Sequence, residues 1–479
     1  MIFEPKVLAP GPITRAKAIF EAAPGQSASS RSRFFKPPAL LEVMPYPPSQ
    51  EGDEKLVEEG PYAGLADREE KKKEGIMKGF RVGWILAGLA VALLFCGTWS
   101  FAKDPDKYVM GGSQALSGPA YSVVIDTIVK GANLAVEEIN QKGGINGKKM
   151  ELIWEDNKAK GPDGVAVLNK LISIDQVPVA TIGYTAPIMA CAPIGDQKKI
   201  LLFGQGYGPA LAGAGKYTFH IPANELILIR SMLDYAQKNL KVKTIGLIHV
   251  NDDMGISVKE FLAAYGPKIG MKFVGSEAFD LAATDYSVQI EKAKRWKADA
   301  VYASVHRHPA LIKQATEKGW TPQWISCPFT TYGEYLTQAG RGLNGALSAT
   351  ADVSMERNPG LGKVKESWEK KYGKDSWPKA GIHFLGYAYD IPYLVKTLAE
   401  YGKKKGWEDH WSGEKMRQAL LEIPPFEGCM GRITFDPKSG LSFRNVQLFK
   451  AAENPAQKDT YQWVPTGFYS YDQIQKLGE

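Results

Sequence analysis

The chain has 479 residues, of which 44% are hydrophobic, 23% charged and 11% aromatic, at a mean hydropathy of −0.24. That composition excludes collagen, a coiled coil, wholesale disorder and a polytopic membrane protein, and four cysteines are too few for a disulfide scaffold. Residues 1–102 hold 13 Lys and Arg against 12 Asp and Glu, leaving 46 of the 59 basic and 40 of the 52 acidic residues to the remaining 377; six surplus charges with both signs interleaved exclude a nucleic-acid-binding stripe.

Residues 1–76 carry 10 of the 30 prolines, no helix or strand period, and charge runs such as Arg68 to Glu74. This segment reads as a disordered, proline-rich extension. Met77 to Arg81 is a short basic segment, Val82 to Trp99 has no charged residue, and Ser100-Phe101-Ala102 ends in small residues at the positions a signal peptidase reads. Residues 77–102 are therefore expected to be a signal peptide cut after Ala102, with translation starting at Met77 and residues 1–76 upstream of the true start. The run of about 18 apolar residues also leaves an uncleaved membrane anchor open at 1.5 Å per residue. A lipidated Cys96 is disfavoured by bulky Leu94-Phe95. Export would leave Cys191, Cys327 and Cys429 in an oxidising compartment; without a CxxC spacing they read as small buried hydrophobes, with one disulfide as the other possibility.

From Tyr108 onward strands and helices alternate. Tyr108 to Gly111 is a short strand, and Ile128, Ala132, Ala135, Val136 and Ile139 recur at helical spacing until Gly143-Gly144 stops the helix. Met150 to Trp154, Val179 to Gly183 and Ile200 to Phe203 read as strands, with helices over Gly164 to Ile174 and Ile188 to Asp196 between them. This is the alternation of a parallel sheet. The same order restarts at Asn224: a helix to Asn239, strand Thr244 to Val250, loop Asn251 to Gly255, helix Ser257 to Tyr265, and strand Lys272 to Gly275. Asp285 is expected to cap a helix over Val288 to Trp296. Ala300 to Val305 and Gln323 to Ser326 are strands around a helix over Pro309 to Lys318. Residues 346–352 form a strand, helices cover Pro359 to Tyr372, Gly381 to Lys405 and Lys415 to Leu421, and Gly431 to Phe435 with Val446 to Phe449 are expected to pair around a turn.

The pattern predicts an α/β protein of two doubly wound lobes, with a cleft at the C-terminal ends of the strands, where such sheets bind ligands. Gly204-Gln-Gly206-Tyr-Gly208 is no dinucleotide fingerprint, because its third glycine comes too early and no acidic ribose-binding residue follows. His306-Arg307-His308 lacks an accompanying carboxylate or thiol, and Asp252-Asp253 lacks the alternating oxygens of a calcium loop. No cofactor and no metal are expected. Neither a GxSxG elbow nor a recognisable cysteine–histidine motif is present, so no enzyme is expected.

Leu116-Ser-Gly-Pro119, Gly131 to Asn140, Lys142 to Gly147 and Trp154-Glu-Asp-Asn157, continued by Ile182 to Thr185, Ile200 to Gly208, Thr244 to Gly255, Asp285-Tyr-Ser287 and Phe435-Asp-Pro437, resemble the leucine-binding type I periplasmic binding proteins over essentially all of 105–465. The resemblance implies two lobes joined by three crossovers, lobe 1 from 105–222 and 349–440, lobe 2 from 223–348 and 441–479. It implies a periplasmic receptor that closes around a small carboxylate (an amino acid, an aromatic acid or another organic acid) and delivers it to an ABC permease in the inner membrane; a sensory receptor is the alternative. Carried over position by position, its binding site falls on Ser117, Tyr184, Thr185, Ala186, Gln205, Gly206 and Tyr207 of lobe 1, on Asp253, Met254, His306, Arg307 and Phe329 of lobe 2, and on Phe384, with Gly208, Pro328 and His383 beside them. Amino-acid-binding members have an acidic residue after the strand matching Gln323 to Ser326, where this chain has Cys327-Pro-Phe-Thr330. A ligand ammonium would lack its partner unless Asp253 replaced it, so leucine is disfavoured and an aromatic or dicarboxylic acid is favoured, with His306 or Arg307 pairing its second polar group.

Overall fold

The computed structural model describes residues 105–118, 123–304, 309–326, 333–378 and 381–478, all within one compact unit, Cys96–Glu479. The extension 1–76 and the signal segment 77–102 lie outside the described residues, as does Cys327. Among the described residues no helix is long and apolar enough to cross a membrane.

The first sheet is built from β1 (Tyr108–Gln114), β2 (Met150–Asp156), β3 (Val179–Gly183), β4 (Leu201–Gln205) and β5 (Thr218–His220), all parallel, in the order β2-β1-β3-β4-β5. Its central strands β3 and β4 are buried along their whole length, as their mostly apolar sequences suit in a sheet covered on both faces. The connecting helices are α1 (Val123–Gln141), α2 (Gly161–Ser173) and α3 (Thr185–Lys198). The residues spaced through α1, Ile128, Ala132, Ala135, Val136 and Ile139, are all buried, and the Gly144 N–H closes the helix on the Ile139 carbonyl at 2.8 Å.

The chain then crosses at 221–224 into α4 (Glu225–Leu240), β6 (Thr244–Val250), α5 (Asp253–Tyr265), β7 (Lys272–Phe279), α6 (Ser287–Lys294), β8 (Ala300–Ser304), α7 (Pro309–Glu317), β9 (Gln323–Ser326), α8 (Gly333–Ala339) and β10 (Leu347–Ala351). These strands form the second sheet, ordered β15-β14-β10-β9-β8-β6-β7, parallel from β7 to β10. α4 starts where its cap predicts: Asn224 Oδ1 accepts the Leu226 N–H at 2.8 Å, and Asn224 Nδ2 donates to the Gly208 carbonyl at 3.1 Å. Losing both bonds in Asn224→Ala is expected to lower stability by about 1–2 kcal/mol, read as a lower urea midpoint. Asp285 acts one residue further from its helix than expected. Its Oδ1 accepts the Ser287 N–H at 2.9 Å while Tyr286 holds the cap position, and hydrogen bonds from the Ser287 hydroxyl and N–H keep the Asp285 carboxyl below its ordinary range.

A second crossing leads to α9 (Pro359–Tyr372), α10 (Ile382–Lys404), α11 (Gly413–Glu422), β11 (Phe426–Gly428), β12 (Gly431–Phe435) and β13 (Ser442–Phe443). A third returns the chain to β14 (Val446–Glu453), β15 (Tyr461–Tyr469) and α12 (Tyr471–Gly478). α10 lies along α1 against the first sheet. The hairpin expected between 431–435 and 446–449 does not form. β12 pairs with β11 and β13, whereas β14 runs antiparallel to β10 and β15. The turn between them is held by Asp436, whose Oδ1 accepts the N–H groups of Lys438 and Ser439, so the strand that follows β13 is free to change sheets. The aromatic tail forms the edge strand β15, with Tyr461 and Trp463 packed on the second sheet's core and the Arg357 guanidinium over the Phe468 ring at 4.7 Å. Cys191 and Cys429 are buried free thiols, and burial pushes the Cys191 thiol up to about 12.

The three crossings run side by side. Ser442 Oγ donates to the carbonyls of Ile221 and Pro222 at 3.1 and 3.0 Å, Arg444 Nη2 donates to Ile221 at 2.9 Å, and the Asp352 N–H reaches the Asn445 carbonyl at 3.0 Å. Arg357 clamps Asp352 through Nε and Nη2, both at 2.7 Å, and reaches Gln447 at 2.6 Å. These bonds lace the three crossings into one strip of chain.

Candidate ligand-binding cleft

The expected site residues of the first lobe lie at the C-terminal ends of β1, β3 and β4. Ser117 is exposed beyond β1, and its hydroxyl donates to Asp156 at the end of β2, whose other carboxylate oxygen accepts the Leu116 and Lys158 N–H groups at 2.9 Å. Burial pushes the Asp156 carboxyl up, but these donors outweigh it and hold the group below its ordinary range. Tyr184 caps α3 with φ 69° and ψ 145°, a left-handed backbone that a tyrosine adopts only under constraint. It delivers Thr185 and Ala186 to the first turn of the helix, where unpaired N–H groups favour an anion.

Gln205 is differently employed. Its Oε1 accepts from Gln114 Nε2 at 2.9 Å, its Nε2 donates to Thr181 Oγ1 at 2.9 Å, and Thr181 in turn donates to the Phe203 carbonyl at 3.0 Å. The amide ties the ends of β1, β3 and β4 together inside the sheet, a commitment that follows from its burial at a strand end. Gly206 and Gly208 flank Tyr207. A Cβ on Gly208 would meet the Thr185 methyl at 3.1 Å and the Ser257 hydroxyl of α5 at 3.5 Å, so the glycine is what lets the two sheets' elements approach at this point.

On the other side, Asp252 caps α5 by accepting the Gly255 N–H at 2.8 Å. Asp253 is exposed on the first turn, while Met254 is buried and its carbonyl accepts the Ser257 hydroxyl at 2.8 Å. α5 packs against α3 and the short turn Pro209–Leu211, so the two sheets' elements are in contact across the cleft. Phe384 arrives on α10 and is buried, its ring edge-on to Tyr207 at 5.5 Å; His383 beside it lies 6.5 Å from the Tyr207 ring. Burial, aided by the Arg444 charge, lowers His383 to about 3, so its imidazole is neutral. His306, Arg307, Pro328 and Phe329 lie outside the described residues, on the segments that follow β8 and β9. Among the described residues no cluster of His, Cys, Asp and Glu has metal-binding geometry.

Two buried ionisable residues beside this cleft carry no sequence signal. Glu225 opens α4 with its N–H donated to the Tyr207 carbonyl at 2.9 Å, and Tyr302 of β8 donates to its Oε1 at 2.6 Å. Arg444 lies 1% exposed in the third crossing with its guanidinium 4.7 Å from the Tyr387 ring. A helix cap could have located Glu225 in the fold, but nothing in its neighbours forecasts its burial.

A family model described as periplasmic binding protein matches residues 107–456. The chain belongs to the periplasmic binding protein family. Among curated relatives of this binding protein is the Leu/Ile/Val-binding protein homolog 3 of Brucella melitensis, 25% identical over 369 residues, covering 76% of this chain and 96% of the relative. Among solved structures, a leucine binding protein from Thermotoga maritima matches with a TM-score of 0.64 at 18% identity, over 76% of this chain and 99% of that one. An ABC-transporter solute binding protein from Rhodopseudomonas palustris, in complex with 3,4-dihydroxybenzoic acid, matches with a TM-score of 0.62 at 20% identity, over 77% and 98%. The binding protein thus has the two-lobed α/β fold expected of its sequence.

Proposed function

We propose that this binding protein is the periplasmic receptor of an ABC importer, and that it closes its lobes, 105–222 with 349–440 and 223–348 with 441–479, around an amino acid or another small carboxylate. The observation that supports this reading is the approach of α3, the turn after Tyr207 and the start of α5, drawn from both sheets, to one another. Thr185 and the first N–H groups of α3 bind the ligand carboxylate, Tyr184, Tyr207 and Phe384 wall its apolar body, and Met254 with Asp253 closes over it, joined by Ser117, Ala186, Gly206, His306, Arg307 and Phe329. Gln205 supports the loop from below. Closure is the event passed to a permease in the inner membrane, so no catalysis is required. The named ligands of the relatives and structural neighbours span branched-chain amino acids and aromatic acids, which supports a small carboxylate without choosing among them.

A thermal-shift panel of amino acids and organic acids tests this reading, since a ligand bound only by the folded state raises the melting temperature. A shift with at least one small carboxylate is expected, and none across the panel overturns the proposal. Thr185→Ala should weaken that ligand by about 1.5–3 kcal/mol in titration calorimetry, the magnitude of a lost hydrogen bond to a charged group.

A further inference from the structure

Glu225 is wholly inaccessible, yet only half of its carboxyl is used. Oε1 accepts from Tyr302, while Oε2 is buried and meets no hydrogen-bond partner. A buried polar atom left unpaired is destabilising and points to a partner that completes it. The residue sits where a ligand could do so. Its main chain is bonded to the carbonyl of Tyr207, a wall of the cleft, and its side chain reaches β8 of the second sheet. The titratable groups facing it are Tyr302 from β8 and Asp252 from the cap of α5; among the described residues no cation faces it. Burial first, and the Asp252 carboxylate second, raise Glu225 to about 8 against the pull of the Tyr302 hydroxyl. With Tyr302 donating to Oε1, the proton of the neutral carboxyl belongs on Oε2.

We propose that Glu225 is a specificity-determining residue of the cleft, pairing its idle oxygen with a hydroxyl at the ligand end remote from the carboxylate, so that the protein selects hydroxylated acids. The inference rests on the receptor reading above and names the ligand class within it. An acid lacking that hydroxyl leaves Oε2 unsatisfied, and an amino acid would force the carboxyl to give up its proton to meet the ammonium.

Titration calorimetry of the protein with 4-hydroxybenzoate, benzoate and leucine tests it. At pH 7 the hydroxylated acid should bind at least about tenfold more tightly than benzoate, one good hydrogen bond's worth. Raising the pH from 6.5 to 8.5 should weaken it about fourfold as Glu225 ionises beside an anionic ligand. Glu225→Gln keeps an acceptor for Tyr302 and a donor at the other atom, so it should retain the preference and lose the pH dependence. Glu225→Leu, with cooperative unfolding checked by circular dichroism, should bring the two acids to equal affinity. Equal binding of benzoate and 4-hydroxybenzoate by the unaltered protein overturns this inference alone, as does tighter leucine binding with proton release near pH 7. Binding of none of the three, together with a flat thermal-shift panel, overturns the receptor reading itself.

Discussion

Replacing Arg444 by methionine is expected to lower the unfolding free energy at pH 7 by about 3–5 kcal/mol, the range for leaving a buried carboxylate without a compensating charge. The guanidinium bonds the Ile221 carbonyl, stacks on Tyr387, and supplies the positive charge near Asp390, which is itself buried with one oxygen, Oδ1, accepting the Cys429 N–H at 2.7 Å and the other unpaired. Burial raises Asp390 to about 6, while Arg444 and the Cys429 N–H hold it from rising further. A carboxyl whose folded value lies above its unfolded one has its stability contribution intact below the unfolded value, near 4, and loses it as the pH climbs through the folded value. Without Arg444 that folded value moves higher, so the deficit of the variant should be smallest at about pH 4 and largest above pH 6. Urea unfolding at both pH values checks the sign. Adding Asp390→Asn should restore part of the loss, because the neutral amide no longer needs a cation.

Gly255→Ala is expected to destabilise by about 3 kcal/mol, the upper range for forcing extra volume into a packed site. A Cβ there would stand 2.0 Å from the Val250 carbonyl oxygen and 2.7 Å from His249 Nδ1. That oxygen is also the partner of the Asp252 N–H at 2.9 Å and of His249 Nδ1 at 2.8 Å, so it cannot turn aside without freeing both. The first turn of α5 must move instead, carrying Asp253 and Met254 with it. Ligand affinity should therefore fall along with the denaturant midpoint. Gly362→Ala in α9 is the control. A Cβ there meets nothing within 4 Å, and the better helix former should stabilise by roughly 0.5–1 kcal/mol.

The fold was legible wherever burial follows a period. The spacing of Ile128 to Ile139, the glycine pair that ends α1, and the mostly apolar stretches Val179 to Gly183 and Ile200 to Phe203 each carry their own instruction, and an element forms at each, the second strand one to two residues later than read. The partner of 446–453 was not legible, because an apolar strand after a turn looks the same whether it folds back or continues into another sheet; the lacing at Ser442 and Arg444 decides it. In the cleft, loop glycines and aromatics mark the walls, whereas the roles of Gln205, Glu225 and Arg444 depend on which polar groups meet them from distant parts of the chain. A charged side chain reads as solvated until its surroundings are known. Their functions come from tertiary contacts alone.

The largest buried cluster has no seam between the sheets. It takes in Tyr108 and Met110 of β1 and Phe203 of β4, and equally Ile245 and Leu247 of β6, Tyr302, Ile325 and Leu347. The two lobes are separate in their strand order, and each has a buried cluster of its own, around Leu168, Ile182 and Leu202 in the first and Val301, Leu311 and Trp324 in the second, but the largest cluster belongs to both. A molecule captured between elements of both sheets therefore stabilises contacts that belong to each of them.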